Sequence, residues 1–111
     1  VYNFQVINQS LIQIKKGSQR KELEKATFNN PTIANKEPLL VIALTGVFFR
    51  SSWRYQDRAY RRICLDSGHI LGNMDLLSFP CGFKAAQLGG FNDSEVNAIL
   101  ELFEEDEQVL S

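Results

Sequence analysis

The chain has 111 residues, a formal net charge of −1 and a pI near 5.8, a balance that excludes a general electrostatic hold on nucleic acid. Its 44% hydrophobic and 11% aromatic content fits a packed globular chain, and the length allows a single domain spanning residues 1–111. Two cysteines, Cys64 and Cys81, and one histidine, His69, are too few for the usual four-ligand zinc site, and nothing marks a secreted protein, so both thiols read as free in a reducing, cytoplasmic setting.

In chain order, residues 2–7 alternate apolar and polar side chains, as a half-buried strand does, and Leu11, Ile12 and Ile14 continue an extended segment up to Gly17. Ser18 is placed to cap a short helix over residues 19–27, with Leu23 and Ala26 facing inward. The Asn29-Asn30-Pro31 run breaks that helix, and Pro38 marks the next boundary. Residues 39–45 (LLVIALT) are aliphatic without alternation, which predicts a central strand covered on both faces. The apolar run continues to Phe49 but is too short to cross a bilayer, so no membrane partner is expected.

Residues 48–56 are aromatic and basic and read as a loop or short helix. Asp57 then caps a long helix that runs to about Phe79, where Pro80 stops it. On this helix Ile63, Ile70, Met74 and Leu77 form one apolar row. Cys64, Gly68 and Gly72 form a row of small residues four apart. Each interior glycine costs a helix about 1 kcal/mol relative to alanine, so another body is expected close to that backbone, a partner helix before a flat ligand. Residues 83–88 predict a short strand, and Gly89-Gly90 a turn that glycine tolerates best. Asn92 or Asp93 caps a last helix with Val96, Ile99, Leu100 and Phe103 on its inner face. The acidic run 104–107 reads as a solvated loop. The chain starts at Val1 rather than Met and stops as an apolar strand begins at Val109-Leu110, so a piece of a longer protein is expected.

Three groups could carry chemistry. Trp53-Arg54-Tyr55 with Arg58, Tyr60 and Arg61 sets a phenol among cations, which would serve proton transfer, though a salt-bridged helix start with pinned aromatics explains the same residues. Asp66, His69 and Asn73 share one helix, where a lone histidine is more often a hydrogen-bonded packing residue than an acid–base group. Gly89-Gly90-Phe91 would let backbone amides approach a flat ring or a phosphate, but it has neither the spacing of a dinucleotide fold nor the lysine of a P-loop. There is no nucleophile elbow and no zinc-protease motif, so hydrolase readings have no support.

Taken in order, Arg50, Arg54-Tyr55, Asp57-Arg58-Ala59-Tyr60-Arg61, Ser67-Gly68-His69, Asn73 and Gly89-Gly90-Phe91-Asn92-Asp93 resemble the C-terminal half of SagB-type dehydrogenases, a branch of the nitroreductase-like flavin superfamily. The resemblance implies an α+β fold in which a mostly antiparallel sheet packs on a long central helix. It implies an FMN-dependent oxidoreductase that works as a homodimer and moves hydride between flavin and a small molecule or a modified peptide bearing an azoline ring. On that mapping Tyr55 is the acid–base residue and Arg54 its cationic partner, while Gly89, Gly90, Phe91 and Asn73 line the flavin; no metal is implied. Arg54 stands where the branch usually has lysine, and a guanidinium supports charge without acting as a base. The alternatives are a non-catalytic module for dimerisation or peptide presentation, and a generic NAD(P)H-dependent flavin or nitro reductase.

Overall fold

The computed structural model describes residues 1–36, 38–103 and 107–110. The chain opens with an antiparallel hairpin, β1 (Tyr2–Gln5) and β2 (Ser10–Gln13), paired from Tyr2↔Gln13 to Gln5↔Ser10. The Val1 ammonium closes its open end by donating to the Lys15 carbonyl at 2.7 Å. The expected half-buried pattern is not seen. Phe4 and its cross-strand partner Leu11 are more than half exposed, and so is Ile12 on the opposite face.

Helix α1 (Arg20–Ala26) follows with Gln19 rather than the expected Ser18 at its N-cap position and without a side-chain cap bond; the Ser18 hydroxyl accepts from the Arg20 amide only at 3.4 Å, one residue too early to cap the turn. Thr27 ends it, its hydroxyl donating to the Leu23 carbonyl at 2.8 Å. Phe28 and Asn29 then adopt positive φ, and the Asn30 side chain caps α2 (Pro31–Ala34) by accepting from the Thr32 amide at 2.9 Å. Proline at the first helical position lacks only an amide that the helix would leave unpaired.

The segment 39–45 departs from expectation. Residues 39–44 form no strand, and β3 is only Thr45–Gly46. Leu39 and Leu40 are 86% and 72% exposed. A strand covered on both faces needs neighbours at its edges and layers above and below it. Among the described residues only β4 (Gln108–Val109) lies alongside, pairing Thr45↔Val109 and Gly46↔Gln108. The expected apolar strand at 109–110 is thus present in short form. Gly46 has a packing reason: a Cβ there would meet Leu110 Cδ1 at 2.9 Å and Ile63 Cγ2 at 3.1 Å. Residues 83–88 likewise form no strand. The acidic run 104–107 lies outside the described residues except for Glu107, which accepts a hydrogen bond from the Thr45 hydroxyl.

Helix α3 (Phe49–Tyr55) leads through a sharp corner into α4 (Arg58–Ser78). Asp57 occupies the N-cap position of α4 without a side-chain cap bond. The more covered face of α4 is Ala59, Ile63, Ser67, Leu71, Met74 and Ser78, not the expected row, since Ile70 and Leu77 are exposed. Hydrophobicity alone picked the wrong stripe by one position at two turns. Its missing members are Ala59, Ser67, Leu71 and Ser78.

Helix α5 (Asp93–Leu100) packs against α1 and holds the core. Asn92 caps it, accepting from the Glu95 amide at 3.2 Å while its own amide donates to the Ala26 carbonyl at 2.8 Å. Ala26, Val96, Ile99 and Val109 form the buried cluster, with Leu23, Ala43, Phe91 and Leu100 against it. Phe103, expected on the inner face, is 79% exposed, because α5 ends at Leu100 and Glu101 turns the chain at positive φ. Outside the core, Lys25 and Glu95 pair at 2.8 Å, and the hydrogen bond to Glu95 raises the lysine pKa above its ordinary 10.5. That contribution is present below pH 10.5 and lost as pH rises through the raised value.

The buried Asn97 side chain accepts from the Val109 amide at 3.0 Å, tying β4 to α5. Replacing it with alanine leaves a buried donor unpaired, so Asn97→Ala should cost about 1–3 kcal/mol in urea denaturation, whereas Asn3→Ala on the exposed hairpin should cost little.

Candidate functional site

The α3–α4 corner gathers the first of the three groups. Gln56, between the helices, sits at φ 48°, ψ −132°, a conformation costly for a side chain with a Cβ. Two packing contacts hold it: Ala59 is buried, and the Phe48 and Tyr60 rings stack at 5.8 Å with 16° between their planes. The turn brings Arg62 over the Tyr55 ring, its guanidinium carbon 4.1 Å from the centroid, while Arg54 lies at 5.7 Å. Tyr55 therefore has two cations near its ring, and the nearer one is not Arg54. Helical spacing could not reveal this, because the break at Gln56 resets the phase between Tyr55 and Arg62. Trp53, beside them, is 72% exposed, and among the described residues it makes no ring stack or side-chain hydrogen bond. Cation–π contacts at exposed positions are worth about 0.5–1 kcal/mol. Chemically, the corner offers one phenol as proton donor or acceptor and two fixed positive charges next to it.

Asn73 lies fifteen residues into α4, roughly 22 Å along its axis from Arg58 at 1.5 Å per residue. It borders a shallow open depression with Cys64, Leu65, Gly68, His69 and Gly72. A Cβ at Gly68 or Gly72 would meet nothing within 4 Å, so the small-residue row faces open space rather than a packed helix of this chain. The His69 Nδ1 lies 2.8 Å from the Leu65 carbonyl, a contact within its own helix. Among the described residues no three potential metal ligands converge, and both cysteines are free.

Gly89 and Gly90 do not take the expected left-handed turn: neither has positive φ, which among glycines is confined to Gly17 and Gly82. Their backbone is nonetheless bare, since a Cβ at either would meet nothing within 4 Å. Phe91, next to them, packs on the core cluster. Among the described residues no hydrogen bond or ring contact joins the Tyr55 corner, Asn73 and the Gly89–Phe91 segment.

A crystal structure of a provisionally assigned nitroreductase from Anabaena variabilis superposes on 97% of this chain with a TM-score of 0.91 and 41% identity. The fold is nitroreductase-like. A curated protein of Methanocaldococcus jannaschii, also provisionally named a nitroreductase, is 28% identical over 104 residues, 94% of this chain. The chain spans about half of that protein (52%) and 22% of the solved chain. No family model matches. Among the described residues no helix is long and apolar enough to cross a membrane.

If the Phe48–Tyr60 stack holds the corner, removing it frees α3 first. Phe48→Ala should speed hydrogen exchange at the Ser52 and Gln56 amides about two- to tenfold, the equivalent of about 0.5–1.5 kcal/mol, with α5 amides unchanged.

Proposed function

We propose that this chain forms part of an FMN-dependent oxidoreductase of the nitroreductase-like superfamily, acting as a homodimer on a small molecule or, in the manner of the SagB-type branch, on an azoline-bearing peptide. The observation that carries the reading is the 41% identity sustained across 97% of the chain at a TM-score of 0.91. Two local features fit a flat cofactor. The Gly89-Gly90 backbone has open space where side chains would stand, and the Gly68–Gly72 face of α4, with Asn73 beside it, is equally bare. When bound, FMN supplies hydride acceptance or donation. Gly89, Gly90 and Asn73 would hold it, with Phe91 anchoring their loop to the core. Tyr55 would move the substrate proton at its phenol oxygen, with Arg54 and Arg62 keeping positive charge beside it.

Pairing is supported by surface area. A folded chain of 12.6 kDa exposes about 6,200 Å² by size scaling, whereas this one exposes 8888 Å². The excess, about 2,700 Å² on one chain, is at the upper end of what each side of an obligate contact buries. The same excess favours one second reading, a non-catalytic dimerisation or peptide-presenting module.

Mixing the protein with FMN and passing it through gel filtration separates the two. The oxidoreductase reading expects a retained visible flavin band eluting with a dimer, and a colourless dimer would leave the module. Gly90→Val is the sharper variant. With no neighbour for the new side chain and no positive φ to strain it, the fold should be unchanged by circular dichroism while flavin retention falls at least about tenfold. Full retention would remove the turn from the site. In an enzyme carrying this segment, Tyr55→Phe should lower turnover about 10²- to 10⁴-fold with flavin still bound.

A further inference from the structure

The α3–α4 corner carries a charge that no ion pair among the described residues neutralises. Residues 50–62 hold five arginines and one aspartate, a net of +4; since the whole chain is −1, the remaining residues carry −5. Three of those acids pair with cations elsewhere: Glu101 with Lys15, Glu24 with Arg20 and Glu95 with Lys25. Among the described residues none of Arg50, Arg54, Arg58, Arg61 and Arg62 takes part in an ion pair or a side-chain hydrogen bond. Their spacing makes this costly. Arg50 and Arg54 are one turn apart on α3, and Arg58 and Arg62 one turn apart on α4, both like-charge pairs that destabilise a helix unless an anion lies between them.

Geometry then narrows the anion. Arg54 and Arg62 both lie against one ring, at 5.7 and 4.1 Å from its centroid, so their guanidinium carbons can be no more than 9.8 Å apart. The corner that fixes them is braced by buried Ala59 and the Phe48–Tyr60 stack, and its strained Gln56 is the residue that swings Arg62 onto Tyr55. Two planar forks within 9.8 Å of one another, near a phenol that can donate or accept a hydrogen bond, suit an oxyanion with two charges, and guanidinium matches such oxygens in a bidentate way. We infer that the Arg54–Tyr55–Arg62 corner is a binding site for a dianionic group, a phosphoryl group or a pair of carboxylates, on a small ligand. The inference rests on the corner alone and not on the flavin reading, so either can fail without the other.

Trp53, the single tryptophan and an exposed neighbour of the site, reports occupancy by its fluorescence. The protein is titrated at low ionic strength with inorganic pyrophosphate and, separately, with succinate. A saturable change is expected with one of them, and the tighter binder names the source of the oxyanion. Arg62→Gln should weaken it about tenfold or more and Arg54→Gln by less, whereas Lys84→Gln, the same charge removed far along the chain, should shift it less than about twofold. Circular dichroism confirms that each variant is folded, and Arg54→Gln carries the test if Arg62→Gln is not. No saturable change with either anion, or an equal loss in Lys84→Gln, would overturn the site.

Discussion

The contact on which the rest of this structure depends is the close approach of α1 to α5. It is possible because the residue at the crossing is alanine: Ala26 is fully buried, and a longer side chain there would hold the helices apart. Two polar bonds fix the register. The Ala26 carbonyl at the end of α1 accepts from Asn92 at the start of α5, so the C-terminus of one helix meets the N-terminus of the other, where their dipoles are complementary. One turn further on, buried Asn97 reaches across to the Val109 amide. An unpaired amide in that cluster would cost more than the bond itself gains, so the pair selects one placement of β4 rather than adding much net stability.

Through β4 the same contact positions everything downstream of α2. β4 pairs with β3, and Gly46 in β3 lets Leu110 and Ile63 close on its backbone. Ile63 belongs to α4, so this contact of an aliphatic side chain with a glycine ties the long helix to the β3–β4 pair. Beyond it α4 is held mainly by α3. That explains why its distal turns, including Gly68, Gly72 and Asn73, present bare backbone and half-covered side chains.

What could be read from the sequence follows how local each signal is. Asn92 marked a helix start because a cap is satisfied within three residues of itself, and the Asn29-Asn30-Pro31 run marked where α1 stops, whereas Ser18 missed the cap by one residue, since Gln19 holds that position without a side-chain bond. The strands expected at 39–45 and 83–88 failed because a strand is a property of two segments, and aliphatic composition reports burial without naming the partner. Along α4, Ser67 and Ser78 lie on the covered face because small residues admit a neighbour, whereas the pattern credited Ile70 and Leu77 for being apolar. At the candidate site Tyr55 and Arg54 were visible as a pair, but the nearer cation was not. Arg62 reaches the ring only because a non-glycine residue adopts positive φ between two helices, a choice that tertiary packing makes.

Two unlike surfaces result, and they ask for unlike partners. The hairpin, residues 39–42 and the outer face of α4 expose Tyr2, Phe4, Leu11, Leu39, Leu40 and Leu76, a spread of large apolar side chains that a solitary domain rarely leaves wet. Such area is satisfied by polypeptide, from a second copy or from the rest of a protein of which this chain matches only part. The α3–α4 corner is different in kind. Its charges gain nothing from an apolar neighbour, and burying them unpaired would cost several kcal/mol each. A partner that covers the apolar faces therefore must either leave this corner open or bring an anion to it. The bracing of the corner argues for the open arrangement, because a ring stack and a buried alanine hold the backbone that carries both arginines beside Tyr55 before any ligand arrives.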